Sequence, residues 1–137
     1  MKKNVFASGS FDLFHVGHLN IIKRAKALCE NGGILVVGVH SDESIRERKG
    51  RDCIIPFEQR FEIVKALRDV DMAVKLESVP HIVDYLKLYE IDTLVTGDDY
   101  TGKDDWFKAY CRNVVYFPRT PNVSTTLIRQ KIKQEDN

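Results

Sequence analysis

Ile34-Leu35-Val36-Val37-Gly38-Val39 is a continuous apolar run in the first third of the chain. A strand with one wet face alternates polar and apolar residues, so an unbroken run suits a strand covered on both faces of a parallel sheet. Four further short runs fit the same role: Lys3 to Ala7, Val70 to Lys75, Ile91 to Thr96 and Val114 to Phe117. Between them the apolar residues recur at helical spacing. Ile21, Ala25 and Leu28 mark a first helix from near Gly17 to Glu30, ended by Asn31-Gly32-Gly33. Pro56 opens a second helix with Phe57, Phe61, Val64 and Leu67 on one face, and Pro80 opens another with Ile82, Leu86 and Tyr89. Trp106, Phe107 and Tyr110 suit packing on a short helix. Ser124 is a good N-cap for a last helix to about Lys133, with Leu127, Ile128 and Ile132 inward. This alternation predicts one domain, residues 1–137, with a Rossmann-like three-layer α/β/α fold around a five-stranded parallel sheet.

Composition narrows the function classes. The 137 residues are 43% hydrophobic and 30% charged, which suits a single packed core with a solvated surface. With 21 basic and 20 acidic residues the net charge is +1, so there is no general pull toward nucleic acid or a membrane surface. Cys29, Cys53 and Cys111 have no paired spacing, which argues against a disulfide framework and for a reducing, cytoplasmic setting. Met1 to Asn4 leads into a short strand without a signal-peptide core, and no apolar run is long enough to span a bilayer. The polar tail, Gln134 to Asn137, is expected to fray.

Polar clusters follow four of the strands, at the sheet edge where parallel α/β folds bind ligands. The first is Gly9-Ser10-Phe11-Asp12-Leu13-Phe14-His15-Val16-Gly17-His18. Gly9 lets a ligand approach the backbone, and Gly17 would allow a tight turn into the helix. A helix N-terminus attracts phosphate, and His15 and His18, three apart, add donors near one face. The same pair also fits ordinary surface residues or half of a metal site, although no further paired Cys or His completes a zinc set. The second cluster is His40 to Arg51, whose basic stretch reads on composition as a solvated loop, and by its place after a strand end as a loop able to fold over the histidines and bring Lys49 to a phosphate. Arg60 lies off its helical stripe, either on the surface or turned toward the site. The third is Gly97-Asp98-Asp99-Tyr100-Thr101-Gly102-Lys103, where the two carboxylates suit a turn, a magnesium ion, a base amino group or a basic side chain. The fourth, Arg119 to Thr126, places an arginine and hydroxyls at a helix start, which fits either a phosphate site or plain capping.

Together these segments resemble the cytidylyltransferases of the HxGH nucleotidyltransferase superfamily. His15-Val16-Gly17-His18 is similar to the HxGH signature, and Arg119-Thr120-Pro121-Asn122-Val123-Ser124-Thr125-Thr126 to the second signature, usually RTxGISTT. The family glycine is Asn122 here, a residue that tolerates a left-handed backbone. The short length and Gly97 to Lys103 most resemble the members acting on glycerol 3-phosphate, while Val37 to Glu43 with Lys49-Gly50 is similar to the phosphoethanolamine and phosphocholine enzymes. The tryptophan that the family often carries after the third strand is absent from Lys75 to His81, which weighs against an aromatic cage for choline phosphate.

The resemblance implies a transferase moving CMP from CTP, with Mg²⁺, to a phosphorylated small alcohol. The expected product is CDP-glycerol; the alternatives are another phospho-alcohol or an ATP-dependent adenylyltransferase reaction. It implies His15, His18, Lys49 and Arg119 as catalytic residues. Gly9, Ser10, Phe11, Asp98 or Asp99, Thr120, Ser124 and Thr125 would join them in nucleotide binding, and Asp12, Asp42 and Arg60 would join Lys49 at the acceptor. No side chain is assigned to metal. A homodimer is expected from the same resemblance.

Overall fold

The computed structural model describes residues 1–135. Five strands form one parallel sheet: β1 (Asn4–Gly9), β2 (Leu35–His40), β3 (Met72–Leu76), β4 (Ile91–Gly97) and β5 (Asn113–Phe117). Their order across the sheet is β3-β2-β1-β4-β5. The direction of winding therefore reverses between β1 and β4, which leaves a crevice at their C-terminal ends. Every residue of β2 is buried, as its unbroken apolar run requires.

The helices are α1 (Val16–Ala27), α2 (Asp42–Lys49), α3 (Phe57–Lys65), α4 (Ile82–Leu88) and α5 (Thr125–Glu135). Short 3-10 segments, Asp98–Tyr100 and Asp105–Ala109, join β4 to β5. Two apolar clusters hold the layers together. In one, Ile22 and Ala25 of α1 and Val64 of α3 meet Val5, Ala7, Leu35, Val37 and Val39. In the other, Ile82 and Leu86 of α4 and Phe107 meet Phe6, Val36, Leu76 and Leu94. Each such fully buried aliphatic or aromatic side chain stabilises the fold by about 1.5–3 kcal/mol.

Three expectations are corrected. The connection after β2 is helical rather than a loop. Ser41 caps α2 by accepting from Ser44 N at 3.1 Å, Asp42 and Glu43 occupy its first turn, and Gly50 closes it in the left-handed conformation at φ 70°. These are terminus signals, and apolar periodicity misses them because Ile45 is the one apolar residue in the helix. In α1 Ala25 is buried as expected, but its apolar companion in the core is Ile22, while Ile21 turns toward a cavity at the strand ends. In α5 no residue is buried, and Leu127 and Ile132 stand 47% and 48% exposed instead of facing the core. Gln134 and Glu135 continue α5, and the last two residues of the tail lie outside the described residues.

Candidate active site

The β1–α1 loop uses two residues in left-handed backbone, Phe11 at φ 55° and Leu13 at φ 49°. Neither is glycine, and a bulky residue held there costs energy that its surroundings must offset. Phe11 is 5% exposed and Asp12 is 3% exposed, so burial of both flanks holds the turn. The loop delivers His15 to the N-cap of α1. His15 Nδ1 accepts from Gly17 N at 3.0 Å, and His18 Nδ1 accepts from His15 N at 3.2 Å. The two imidazoles thus form a reciprocal capping box, a role usually taken by Ser or Thr with Glu. Their rings stack at a centroid distance of 3.8 Å. Gly17 sits inside the helix rather than in a turn before it. A Cβ there would lie 2.9 Å from the His15 ring, so glycine is what lets the imidazole fold back over the helix end.

Chemistry follows from this geometry. A ring nitrogen that accepts a hydrogen bond carries no proton, so each neutral histidine holds its proton on Nε2. Both therefore present an N–H donor away from their cap. Burial lowers the pKa of His15. Burial, then the charges of His15 and Lys49, push His18 down to about 3 against the opposing charge of Asp12. His18 is thus a neutral donor across the physiological range.

Around these donors a cavity of about 160 Å³ opens. It is bounded by Ser10, His15, His18, Lys49, Asp99, Arg119, Thr120, Ser124 and Thr125 among others. A neighbouring hollow of about 120 Å³ runs under Gly9, Phe11, His40 and Tyr100. The two share Ser10, His18, Ile21, Ile45, Lys49 and Gly97, so they are lobes of one cleft with His18 and Lys49 at the junction. Residues from β1, α1, α2, β4 and the β5–α5 segment meet here across the winding reversal.

The second signature forms the far wall. Asn122 adopts φ 63°, the left-handed turn expected where relatives carry glycine. Ser124 Oγ accepts from Leu127 N at 3.0 Å and caps α5, which leaves its own proton free to donate. Thr120 Oγ1 accepts from Asn20 Nδ2 at 3.0 Å and keeps its proton in the same way. Thr125 differs: its hydroxyl donates to Asp12 O at 2.8 Å and is engaged within the protein. Arg119 pairs with Asp99, and that bond with the adjacent charge raises the arginine's pKa. Of the two carboxylates, Asp99 borders the cleft, and its partner is a basic side chain.

The acceptor set is only partly assembled. Arg60 is 1% exposed and engaged through all three guanidinium nitrogens: it donates to Ile55 O, Ser10 O, His40 O and Asp42 Oδ1 at 2.6–2.8 Å. It is neither at the surface nor facing the cavity; it fastens the ends of β1 and β2 to α3. Asp42 is held by Arg60 and by Phe57 N and does not line the cleft. Asp12 borders the cavity, but its oxygens accept from Ile54 N and Ile55 N, both at 2.8 Å, and from Arg129 at 2.9 Å. Burial opposes its charge, yet these bonds outweigh burial and hold the carboxyl below its ordinary pKa. Asp42 and Arg60 therefore stand behind the cleft wall and do not line it, contrary to expectation, whereas Asp12 does border the cavity. Lys49 alone of that set stands at the junction without a hydrogen bond or ion pair among the described residues. Arg51, Cys53 and Arg129 line the cavity and were not singled out. Arg129 lies four residues beyond Thr125, so the helical period places both on one face.

A family model described as cytidylyltransferase-like matches residues 6–131. The chain belongs to the cytidylyltransferase-like family. Within this family it is 37% identical over 128 residues to the glycerol-3-phosphate cytidylyltransferase of Bacillus spizizenii, covering 93% of this chain and 95% of that protein. It is 34% identical over 131 residues to a probable ethanolamine-phosphate cytidylyltransferase of Encephalitozoon cuniculi, covering 92% of this chain and 39% of that protein. Among solved structures, the lipopolysaccharide core biosynthesis protein of Thermoplasma volcanium superposes with a TM-score of 0.71 at 23% identity, over 88% of this chain and 99% of that one, which establishes likeness of fold. The family's nucleotidyl-transfer chemistry accounts for a cleft that combines neutral N–H donors, free hydroxyls and cations.

Proposed function

We propose that this cytidylyltransferase-like enzyme transfers CMP from CTP to glycerol 3-phosphate, giving CDP-glycerol and pyrophosphate. One observation carries the chemistry. The Nδ1 atoms of His15 and His18 are occupied by the helix cap, which leaves their Nε2–H donors free in two residues that line the same cavity as Lys49. The acceptor assignment rests on the glycerol-3-phosphate cytidylyltransferase likeness over nearly the whole of both chains.

In this reading an acceptor phosphate oxygen attacks the α-phosphorus of CTP, the α–β bridging bond breaks, and pyrophosphate leaves in line. The nucleophile is already an anion, so no general base is needed. The protein positions the reactants and stabilises charge. His15 and His18 donate to the phosphate oxygens whose charge rises as the bond breaks. Lys49 neutralises the approach of two anions. Arg119, Thr120 and Ser124 hold the nucleotide from the opposite wall. No group of three or more His, Cys, Asp or Glu residues forms a metal cage among the described residues. Mg²⁺ would arrive on the triphosphate and supply charge neutralisation there, and Asp99 is an acidic side chain lining the same cavity.

His18→Ala removes one donor and half of the capping box. Steady-state kinetics should show kcat reduced by about 10³-fold. Circular dichroism should show the fold retained, and near-normal turnover would exclude the histidine mechanism. Competing CTP against ATP in a pyrophosphate-release assay tests the nucleotide, with CTP expected to win.

A homodimer and a cytoplasmic location complete the reading. Half-exposed Leu127 and Ile132 on α5 support the first by offering apolar surface to a second copy. Sedimentation velocity should give one species of twice the chain mass. Three free cysteines suit a reducing compartment, and among the described residues no helix is long and apolar enough to cross a membrane.

A further inference from the structure

Lys49 is the last residue of α2, a helix whose burial, cap and Asp42 contacts hold its first half. Its buried residues, Ser44 and Ile45, lie in the first half. In the last turn Arg46 pairs with Asp52, only six residues away in the next loop. Arg48 is different. Its Nη2 donates to both oxygens of Asp104, at 3.2 and 3.3 Å, 56 residues along the chain. Its guanidinium also lies over the Tyr100 ring, 3.8 Å from the centroid. Asp104 is 4% exposed, so this pair is sheltered from water.

The far end of the contact is itself anchored. Asp104 N donates to the Tyr116 hydroxyl at 3.1 Å, and that hydroxyl donates to Asp105 at 2.8 Å. Tyr116 belongs to β5, which ends at Phe117 and runs through Pro118 into Arg119. Tyr100 belongs to the segment Asp98–Tyr100 that carries Asp99, the partner of Arg119. One arginine thus ties the end of α2 to the wall that bears Arg119.

We propose that Arg48 is a positioning residue: by bridging α2 to the Asp98–Asp104 loop, it sets Lys49 at a fixed distance from Arg119 across the cleft. The inference rests on the functional reading above for what Lys49 does there. Without the bridge, Lys49 would ride on a loose helix end. A misplaced cation slows the chemical step more than it weakens nucleotide binding, because the opposite wall holds CTP. Lysine is a poor replacement for Arg48: an ammonium can reach the Asp104 carboxylate but cannot also lie flat over the Tyr100 ring, as the planar guanidinium does.

The test uses Arg48→Lys, Tyr100→Leu and the double variant. Arg48→Lys should lower kcat roughly 10–50-fold and leave the calorimetric Kd for CTP within about threefold. Amide hydrogens in residues 45–50 should exchange at least about tenfold faster than in the unaltered protein. Tyr100→Leu removes the stack while keeping an apolar side chain at the cleft lobe that Tyr100 borders, and should lower kcat about 3–10-fold; the double variant should be no worse than Arg48→Lys by more than about twofold. An Arg48→Lys kcat within twofold of the unaltered protein would overturn the inference, as would equal losses in kcat and CTP affinity or additive losses in the double variant. If Arg48→Lys does not fold, Tyr100→Leu decides by the same kinetic split. If the unaltered protein transfers no nucleotide to any acceptor, the functional reading fails and amide exchange alone judges the bridge, with unchanged exchange in residues 45–50 counting against it.

Discussion

At the scale of single residues, the site is built by giving familiar side chains unusual neighbours. The spacing of His15 and His18 was enough to bring them to one helix end. Their mutual capping was not legible, because nothing in the letters says which ring nitrogen meets a backbone N–H. Gly17 was expected to turn the chain and instead makes room for a ring. Arg60 shows the same limit: an arginine among helix residues reads as surface or site, and only the ends of β1 and β2 reveal it as an internal fastener. Two histidines carry a pH prediction. Burial, then the charges of Arg48, Lys49 and Arg60, push His40 down to about 3, and His18 is depressed to the same level. The unfolded chain holds these groups near 6.5, so it binds more protons than the folded one below that pH. Stability is complete above pH 6.5 and falls as the pH drops toward 3. Chemical denaturation should show a loss of about 2–3 kcal/mol from His40 alone between pH 6.5 and 4.5. By contrast, kcat should show no limb near 6.5, because His18 stays neutral there. A kinetic limb at 6.5 that vanishes with His18 would contradict the neutral-donor reading.

Elements were legible in proportion to their apolar content. Strands β1 to β5 and helices α3 and α4 announce themselves by buried runs or stripes, and their observed bounds lie close to those expected. Helix α2 hides because polar caps rather than apolar spacing define it. The inward face assigned to α5 was wrong for a related reason: Ile128 and Ile132 fall four apart as an inward stripe would, yet no residue of the helix is buried and it docks through polar contacts. Arg129 donates to Asp12 Oδ2 at 2.9 Å and to Asp52 O at 3.1 Å, and Thr125 donates to Asp12 O. Asp12 thereby joins the β1–α1 loop, the segment before α3 and α5. Arg129→Met would leave a buried carboxylate short of a partner. Urea denaturation should show a loss of about 2 kcal/mol, at the low end for a sheltered pair because Arg129 keeps some contact with water. An unchanged midpoint would mean that α5 is held by other contacts.

For the whole molecule, the winding reversal between β1 and β4 explains why four stretches distant in sequence make one cleft. That convergence was readable, since each polar cluster follows a parallel strand and so must end on the same edge. Acceptor choice was less readable. The letters do not distinguish side chains engaged within the fold, such as Asp12, Asp42 and Arg60, from Lys49, which lines the cleft without a hydrogen bond or ion pair among the described residues. The most direct test incubates the purified protein with CTP, Mg²⁺ and a panel of glycerol 3-phosphate, phosphoethanolamine and phosphocholine, with mass analysis of the products. CDP-glycerol with equimolar pyrophosphate is the predicted result, and good product from phosphoethanolamine with none from glycerol 3-phosphate would contradict it.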